Sequence, residues 1–208
     1  MIIKRRHLEI LLSSLKDVGA PKADLEQYRT PSSIVCDILY EALVRGDVEG
    51  RTVMELGCGG APFAIGASLL DPSKVCGVDI DPASLETARS NVSMAEKKMK
   101  RDIEIHFLEA DISDPSVELP QVDTIFMNPP FGAQKKHADR PFVERAVASS
   151  KTTYSIHNGN SVDFLKKLST SLDAKMELLF KAKMVLPHMY SFHRKEKEKI
   201  GVVIVRYH

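Results

Sequence analysis

The stretch "RTVMELGCGGAPFAIGASLLDPSKVCGVDID" (residues 51–81) holds two β-type runs around a short helical one. "RTVMEL" (51–56) and "KVCGVDI" (74–80) read as strands, and 62–70 reads as a helix. Strand, glycine turn, helix, strand is the repeating unit of a parallel sheet, because parallel neighbours need a crossover connection. Outward from this unit the pattern continues. "DPASLETARSNVSMAEKKMK" (81–100) reads as a helix with Pro82 in its first turn. "IEIHFLEA" (103–110) and "QVDTIFM" (121–127) read as strands, followed by a helix near 139–149, the strand "TTYSIH" (152–157) and a helix near 160–172. Two helices precede the unit, near 4–18 and 32–45, the second framed by Thr30-Pro31-Ser32 and Gly46. Two strand-like runs, 174–185 and 201–207, end the chain with no clear helix between them. They are expected to form an antiparallel hairpin at the sheet edge, although 186–200 is long for a hairpin loop. The expectation is a doubly wound, mostly parallel α/β sheet, as one domain over 1–208 with a helical extension at about 1–46.

Composition narrows the function classes. Apolar content of 43% and charged content of 27% are those of an ordinary globular protein. A net charge of +1 supplies no global field toward nucleic acid, so any such surface has to be a local patch. Cys36, Cys58 and Cys76 form no Cys-x-x-Cys pair, which argues against a zinc knuckle or a disulfide framework and suits a reducing cytosol. The start, "MIIKRRHLEILLSSLKDVG" (1–19), puts basic residues before an apolar stretch, as a signal peptide does. Glu9 interrupts that stretch, and Leu8, Leu11, Leu12, Leu15 and Val18 recur at helical spacing, so an amphipathic surface helix is expected. No run approaches the roughly 18–20 apolar residues of a membrane span.

In a doubly wound sheet the ligand sits beyond the carboxyl ends of the strands. After the first strand comes Gly57-Cys58-Gly59-Gly60-Ala61-Pro62. Pro62 occupies the third glycine position of a dinucleotide fingerprint, so the loop fits that fingerprint poorly. After the second strand comes Asp79, placed to accept from both ribose hydroxyls of a nucleoside; after the third comes Asp111, placed to accept from an adenine amino group. Glycine is common in any such turn, but the two aspartates at the next strand ends favour an adenosine-containing cofactor. S-adenosylmethionine carries no phosphate and needs from the glycines only space.

The fourth strand ends in Asn128-Pro129-Pro130-Phe131. An exocyclic amine on a nucleobase is a poor nucleophile, because its lone pair is delocalised into the ring. The Asn128 side-chain oxygen can accept one N–H and the Pro129 carbonyl the other, which favours a pyramidal nitrogen aimed at a methyl donor. Each proline fixes its own φ, Pro130 restricts Pro129, and neither offers a competing N–H. Phe131 can stack on the flat base, worth about 1–3 kcal/mol in single-strand binders. A rigid loop would explain two prolines alone; the asparagine before and phenylalanine after them make a catalytic loop the better reading.

These elements resemble a known family. Asn-Pro-Pro-Phe is the amino-methyltransferase form of the class I S-adenosylmethionine-dependent Rossmann-like fold. "LEQYRT" (25–30), "ELGCGG" (55–60), "DID" (79–81), "MNPPFG" (127–132), "YSIH" (154–157) and "LPHMYSFHRK" (186–195) are together similar to the methyltransferase-like protein 5 family, RNA adenine-N6 methyltransferases with archaeal and eukaryotic members. The resemblance covers about residue 5 to the end and is expected to be to an archaeal member. It implies a seven-stranded sheet with helices on both faces, S-adenosylmethionine as cofactor with S-adenosylhomocysteine as product, and no metal. It implies cofactor contacts from Gln27, Thr30, Gly57, Gly60, Asp79 and Asp111, to which Tyr28, Glu55, Gly59, Pro62, Ile80, Ile112 and Asn128 are added as candidates. The implied substrate is an adenosine of small-subunit ribosomal RNA. A small zinc-containing activator subunit is an implied partner, covering an apolar edge, and the implied location is the cytoplasm. Arg29, where the family often has proline, is expected to loosen the loop closing over the cofactor.

The same loop chemistry could serve guanine N2, a DNA adenine or a protein glutamine amide, and a cofactor-binding ribosome-assembly factor is the non-enzyme alternative. Lys135 and Lys136, just after the catalytic loop, and His193, Arg194 and Lys195 are candidates for RNA phosphate contact. The alternating Lys-Glu run at 196–199 reads as a solvated loop. Tyr190 and Phe192 could stack on bases or pack under that loop. His157 reads as structural and Cys58 as a space filler.

Overall fold

The computed structural model describes residues 3–19, 22, 25–132, 138–187 and 197–208. The chain runs α1 (Arg5–Ser13), α2 (Ser32–Val44), β1 (Thr52–Leu56), α3 (Pro62–Ser68), β2 (Lys74–Asp79), α4 (Pro82–Met99), β3 (His106–Glu109), β4 (Val122–Met127), α5 (Arg140–Ser149), β5 (Ser150–Asn158), α6 (Val162–Ser171), β6 (Met176–Pro187) and β7 (Lys197–Tyr207). The sheet order is β3-β2-β1-β4-β5-β7-β6. β3 through β5 are mutually parallel, and β7 is antiparallel to both β5 and β6. This is the expected Rossmann-like class I methyltransferase architecture with its antiparallel C-terminal hairpin.

Side-chain alternation sets the two layers. On β4, Phe126 faces the core under α1–α4, whereas Ile125 and Met127 face α5 and α6. Phe126 stacks between Phe63 (5.4 Å) and Tyr154 (5.3 Å) at the sheet centre. Burying each such ring contributes about 1.5–3 kcal/mol. Leu8, Leu11, Leu12 and Leu15 put the apolar face of α1 into the same core. No helix among the described residues is long and apolar enough to cross a membrane.

Three element boundaries differ from the sequence expectation by three residues or more, each for a local reason. α1 stops at Ser13 rather than near 18, where the Ser13 and Ser14 hydroxyls donate back to the Ile10 and Leu11 carbonyls (2.8 and 2.7 Å). β3 begins at His106 rather than 103, because the Ile103 N–H donates to the Glu96 side chain at 3.1 Å. β7 begins at Lys197 rather than 201, so part of the Lys-Glu run read as a loop is strand, with Val185 paired to Lys199 and Pro187 to Lys197. β5 ends opposite Val202, whereas the β6–β7 pairing continues four residues of β7 beyond Gly201, to Lys197. The hairpin therefore projects past the carboxyl edge of the sheet.

The chain progresses outward from β1 to β2 and β3, then returns to β4 on the other side of β1. The switch point is thus between β1 and β4, where Leu56 pairs with Met127. That register starts the loops at Gly57 and Asn128 side by side.

Candidate active site

A cleft of about 740 Å³ opens at this switch point. Its walls come from the segment before α2, from the loops after β1, β2, β3 and β4, from the start of α5, and from Val185 of the projecting hairpin. Gln27, Tyr28 and Thr30 lie on the first wall; Glu55, Gly57, Gly59, Gly60 and Pro62 on the second. Asp79 and Ile80, then Asp111 and Ile112, then Asn128 and Pro130 follow strand by strand. Pro129 is buried, and the cleft wall includes neither it nor Phe131.

The β1 loop is shaped by Gly57 and Gly59, at φ +63 and +52. A Cβ on Gly57 would sit 3.0 Å from the Phe142 ring of α5. Glu55 lies beneath, with its two carboxyl oxygens accepting the Phe63 and Ala64 N–H groups at 3.2 and 2.8 Å. It therefore caps the first turn of α3 as well as bordering the cleft. Burial pushes its carboxyl up to about 8, against the pull of those two donors. An unfolded glutamate ionises near 4.5. Between these values the native state holds the extra proton, so the stability from Glu55 is full below about pH 4.5 and is lost as pH rises through about 8. Glu55→Gln removes this titration and one acceptor. Thermal melts should show the wild type more stable near about pH 5.5, with the gap narrowing toward about pH 8; a gap independent of pH would contradict this account.

Asp79 is 7% exposed. Its oxygens accept the Gly59 N–H (2.7 Å) and the Asp81 N–H (2.9 Å), so it ties the β1 and β2 loops together at the cleft. Burial raises its pKa. Asp111 accepts the Ser113 N–H and hydroxyl (2.8 and 2.7 Å) through Oδ1.

Asn128 is held at one end. Its Nδ2 donates to Thr30 Oγ1 at 2.9 Å, while its Oδ1 is buried without a hydrogen-bond partner among the described residues. An unsatisfied buried acceptor costs about 1–3 kcal/mol. Beyond the prolines, the Phe131 N–H donates to Glu26 at 2.7 Å, and the Phe131 ring lies 5.1 Å from Tyr28. Gln27 lies on the cleft wall and engages its amide with Asp81 (2.9 Å), Ser84 (3.1 Å) and the Lys22 N–H (2.7 Å). Arg29 tightens the segment rather than loosening it: its guanidinium pairs with Asp17 at 3.0 Å and donates to the Leu12 carbonyl.

Two contributors escaped the sequence reading. Glu26 sits inside "LEQYRT" but was not singled out, since a single acid among polar residues carries no signal of what it grips. Asn91 is wholly buried, donates to the Gly60 and Lys16 carbonyls (2.9 and 3.1 Å) and accepts the Lys16 N–H (2.8 Å). Its signal was a polar residue aligned with Ala88 and Ala95 on the buried side of α4. His157 is structural: it is wholly buried between Asp139 (3.0 Å) and Ser155 (2.7 Å). Cys58 is buried in the loop, and burial raises its thiol pKa. Lys135, Lys136, Tyr190, Phe192, His193, Arg194 and Lys195 lie outside the described residues. Among the described residues no group of three or more His, Cys, Asp or Glu side chains could hold a metal ion.

Known proteins resemble this chain over its full length. A family model for ribosomal protein L11 methyltransferase (PrmA) matches residues 31–128, the segment from just before α2 to Asn128. An uncharacterized protein of Methanocaldococcus jannaschii is 37% identical over 99% of this chain and 94% of its own. The rRNA N(6)-adenosine-methyltransferase METTL5 of Danio rerio is 32% identical over 99% of both chains. A solved structure of a candidate RNA methyltransferase from Pyrococcus horikoshii superposes with a TM-score of 0.87 at 35% identity, covering 100% of this chain and 98% of that one. With this identity sustained from end to end, and with the fold and strand-end loops in their expected places, the chain belongs to the methyltransferase-like protein 5 family.

Proposed function

We propose that this protein transfers a methyl group from S-adenosylmethionine to N6 of an adenosine in RNA, with ribosomal RNA as the substrate. The observation that carries the reading is the Oδ1 of Asn128, buried and without a partner among the described residues, one strand away from the glycine loop at the switch point. The residues present fit the cofactor. Gly59, where an added Cβ would meet nothing within 4 Å, leaves an open wall for its methionine part, Asp79 lies at the second strand end for the ribose hydroxyls, and Asp111 at the third for the adenine amino group. Bound there, S-adenosylmethionine supplies an electrophilic sulfonium methyl.

The rest is done by this chain. Asn128 Oδ1 and, once the loop opens onto the cleft as Phe131 moves, the Pro129 carbonyl each accept an N–H of the incoming amine, so that its lone pair points along the line of displacement. Phe131, after moving off Tyr28, stacks on the base, which enters flipped from its strand. The amine's proton becomes acidic once the nitrogen is alkylated and leaves to water without a strong general base. RNA and the N6 position are supported by the name of the zebrafish relative. The reading includes RNA phosphate contacts from Lys135, Lys136, His193, Arg194 and Lys195. It also includes a small zinc-containing activator subunit on the outer edge of β3, where Leu108 is 42% exposed, and a cytoplasmic location. The chain acts as one domain, with α1 and α2 of the N-terminal extension packed onto the sheet.

Transfer of labelled methyl from S-adenosylmethionine to RNA, DNA and protein fractions tests the class of acceptor. Label is expected in RNA. Label in protein or DNA alone, or cofactor binding with no transfer to any fraction, would overturn the proposal.

A further inference from the structure

We propose that Thr30 is a positioning residue whose hydroxyl holds the Asn128 amide by its nitrogen and so leaves its oxygen for an N–H donor. The inference deepens the amino-methyltransferase reading and rests on it. A side-chain amide has a donor end and an acceptor end, and turning it over exchanges them. Presented nitrogen-first, Asn128 would meet an incoming amino group donor to donor. Thr30, itself 5% exposed, takes the amide nitrogen at 2.9 Å, and the buried Oδ1 is left as the end without a partner among the described residues.

Thr30 acts from a segment that grips the catalytic loop on both sides of its prolines. Pro129 and Pro130 have no N–H, so the Phe131 N–H is the first main-chain donor after Asn128. Glu26 takes that donor at 2.7 Å. The same segment is moored to the start of α4, where Asp81 accepts Gln27 Nε2 at 2.9 Å and Lys22 Nζ at 3.0 Å. Asp81 follows Asp79 by two residues, so the segment links the nucleoside side of the cleft to the amine side. This differs from the cofactor contact that the sequence resemblance implied for Thr30.

Thr30→Val keeps the shape and removes the hydroxyl; Thr30→Ser restores it. Thr30→Val is expected to lower kcat on the order of 10–100-fold, with KM for S-adenosylmethionine within about twofold of wild type. Thr30→Ser is expected to recover most of the rate. A readout independent of substrate is hydrogen exchange of the Asn128 side-chain amide by NMR, slow in the wild type and in Thr30→Ser, fast in Thr30→Val. Wild-type kcat in Thr30→Val, a Thr30→Ser variant as slow as Thr30→Val, or unchanged amide exchange would overturn the assignment. If the wild type methylates no acceptor but the exchange pattern holds, the reading of the reaction falls and the orienting role of Thr30 stands.

Discussion

Asn128→Ala is expected to bind S-adenosylmethionine within about threefold of the wild type and to transfer methyl on the order of 10²–10³-fold more slowly. The asymmetry follows from where the side chain spends its two polar ends. The nitrogen is taken by Thr30, and the oxygen is buried and has no partner among the described residues, so truncation removes a group reserved for the acceptor amine. One fixed acceptor at the reacting nitrogen is worth what one fixed donor is worth at a developing oxyanion, about 3–4 kcal/mol. Stability should change little, because the alanine also deletes the orphaned acceptor whose burial was unfavourable. Isothermal titration of the cofactor and single-turnover transfer separate the two effects. A loss of cofactor affinity parallel to the loss of rate would move Asn128 from the amine to the cofactor.

Asp79→Ala is expected to do the opposite, weakening S-adenosylmethionine binding about 10- to 150-fold. Hydrogen bonds to a charged acceptor contribute about 1.5–3 kcal/mol, and the account gives Asp79 the ribose hydroxyls. It also accepts the Gly59 and Asp81 N–H groups, so its removal frees the β1 loop from the β2 loop and leaves two main-chain donors without their acceptor. A lower Tm should therefore accompany the weaker binding. Asp79→Asn keeps one acceptor and should lie between alanine and wild type on both scales. Equal cofactor affinity in all three proteins would remove Asp79 from the ligand's side of the cleft.

The sheet was legible because its signals are local and repeated. The β-type runs, the glycine after β1 and the acids after β2 and β3 each occupy a few consecutive residues, and parallel topology follows from their alternation with helices. The walls of the cleft were legible for the same reason, since strand ends can be counted along the chain. What the sequence hid is how side chains are shared between distant segments. Gln27 turned toward Asp81 and Ser84, and Glu26 reached 105 residues along the chain to Phe131. Arg29 reads as a departure from a family pattern, yet its cation finds Asp17 and a carbonyl of α1 and becomes a tether. Asn91 looks like a defect on the buried side of α4 until the Gly60 carbonyl is placed against it. The Lys-Glu run could be a loop or an edge strand by composition, and pairing with β6 decided it.

The most direct measurement uses ribosomal RNA from a strain lacking this protein, incubated with the purified protein and S-adenosylmethionine carrying a trideuterated methyl group, then digested to nucleosides for mass spectrometry. The account expects the label in N6-methyladenosine, stoichiometric with one site and absent with Asn128→Ala. Label in N2-methylguanosine, or in N6-methyladenosine at an undiminished rate with Asn128→Ala, would contradict it.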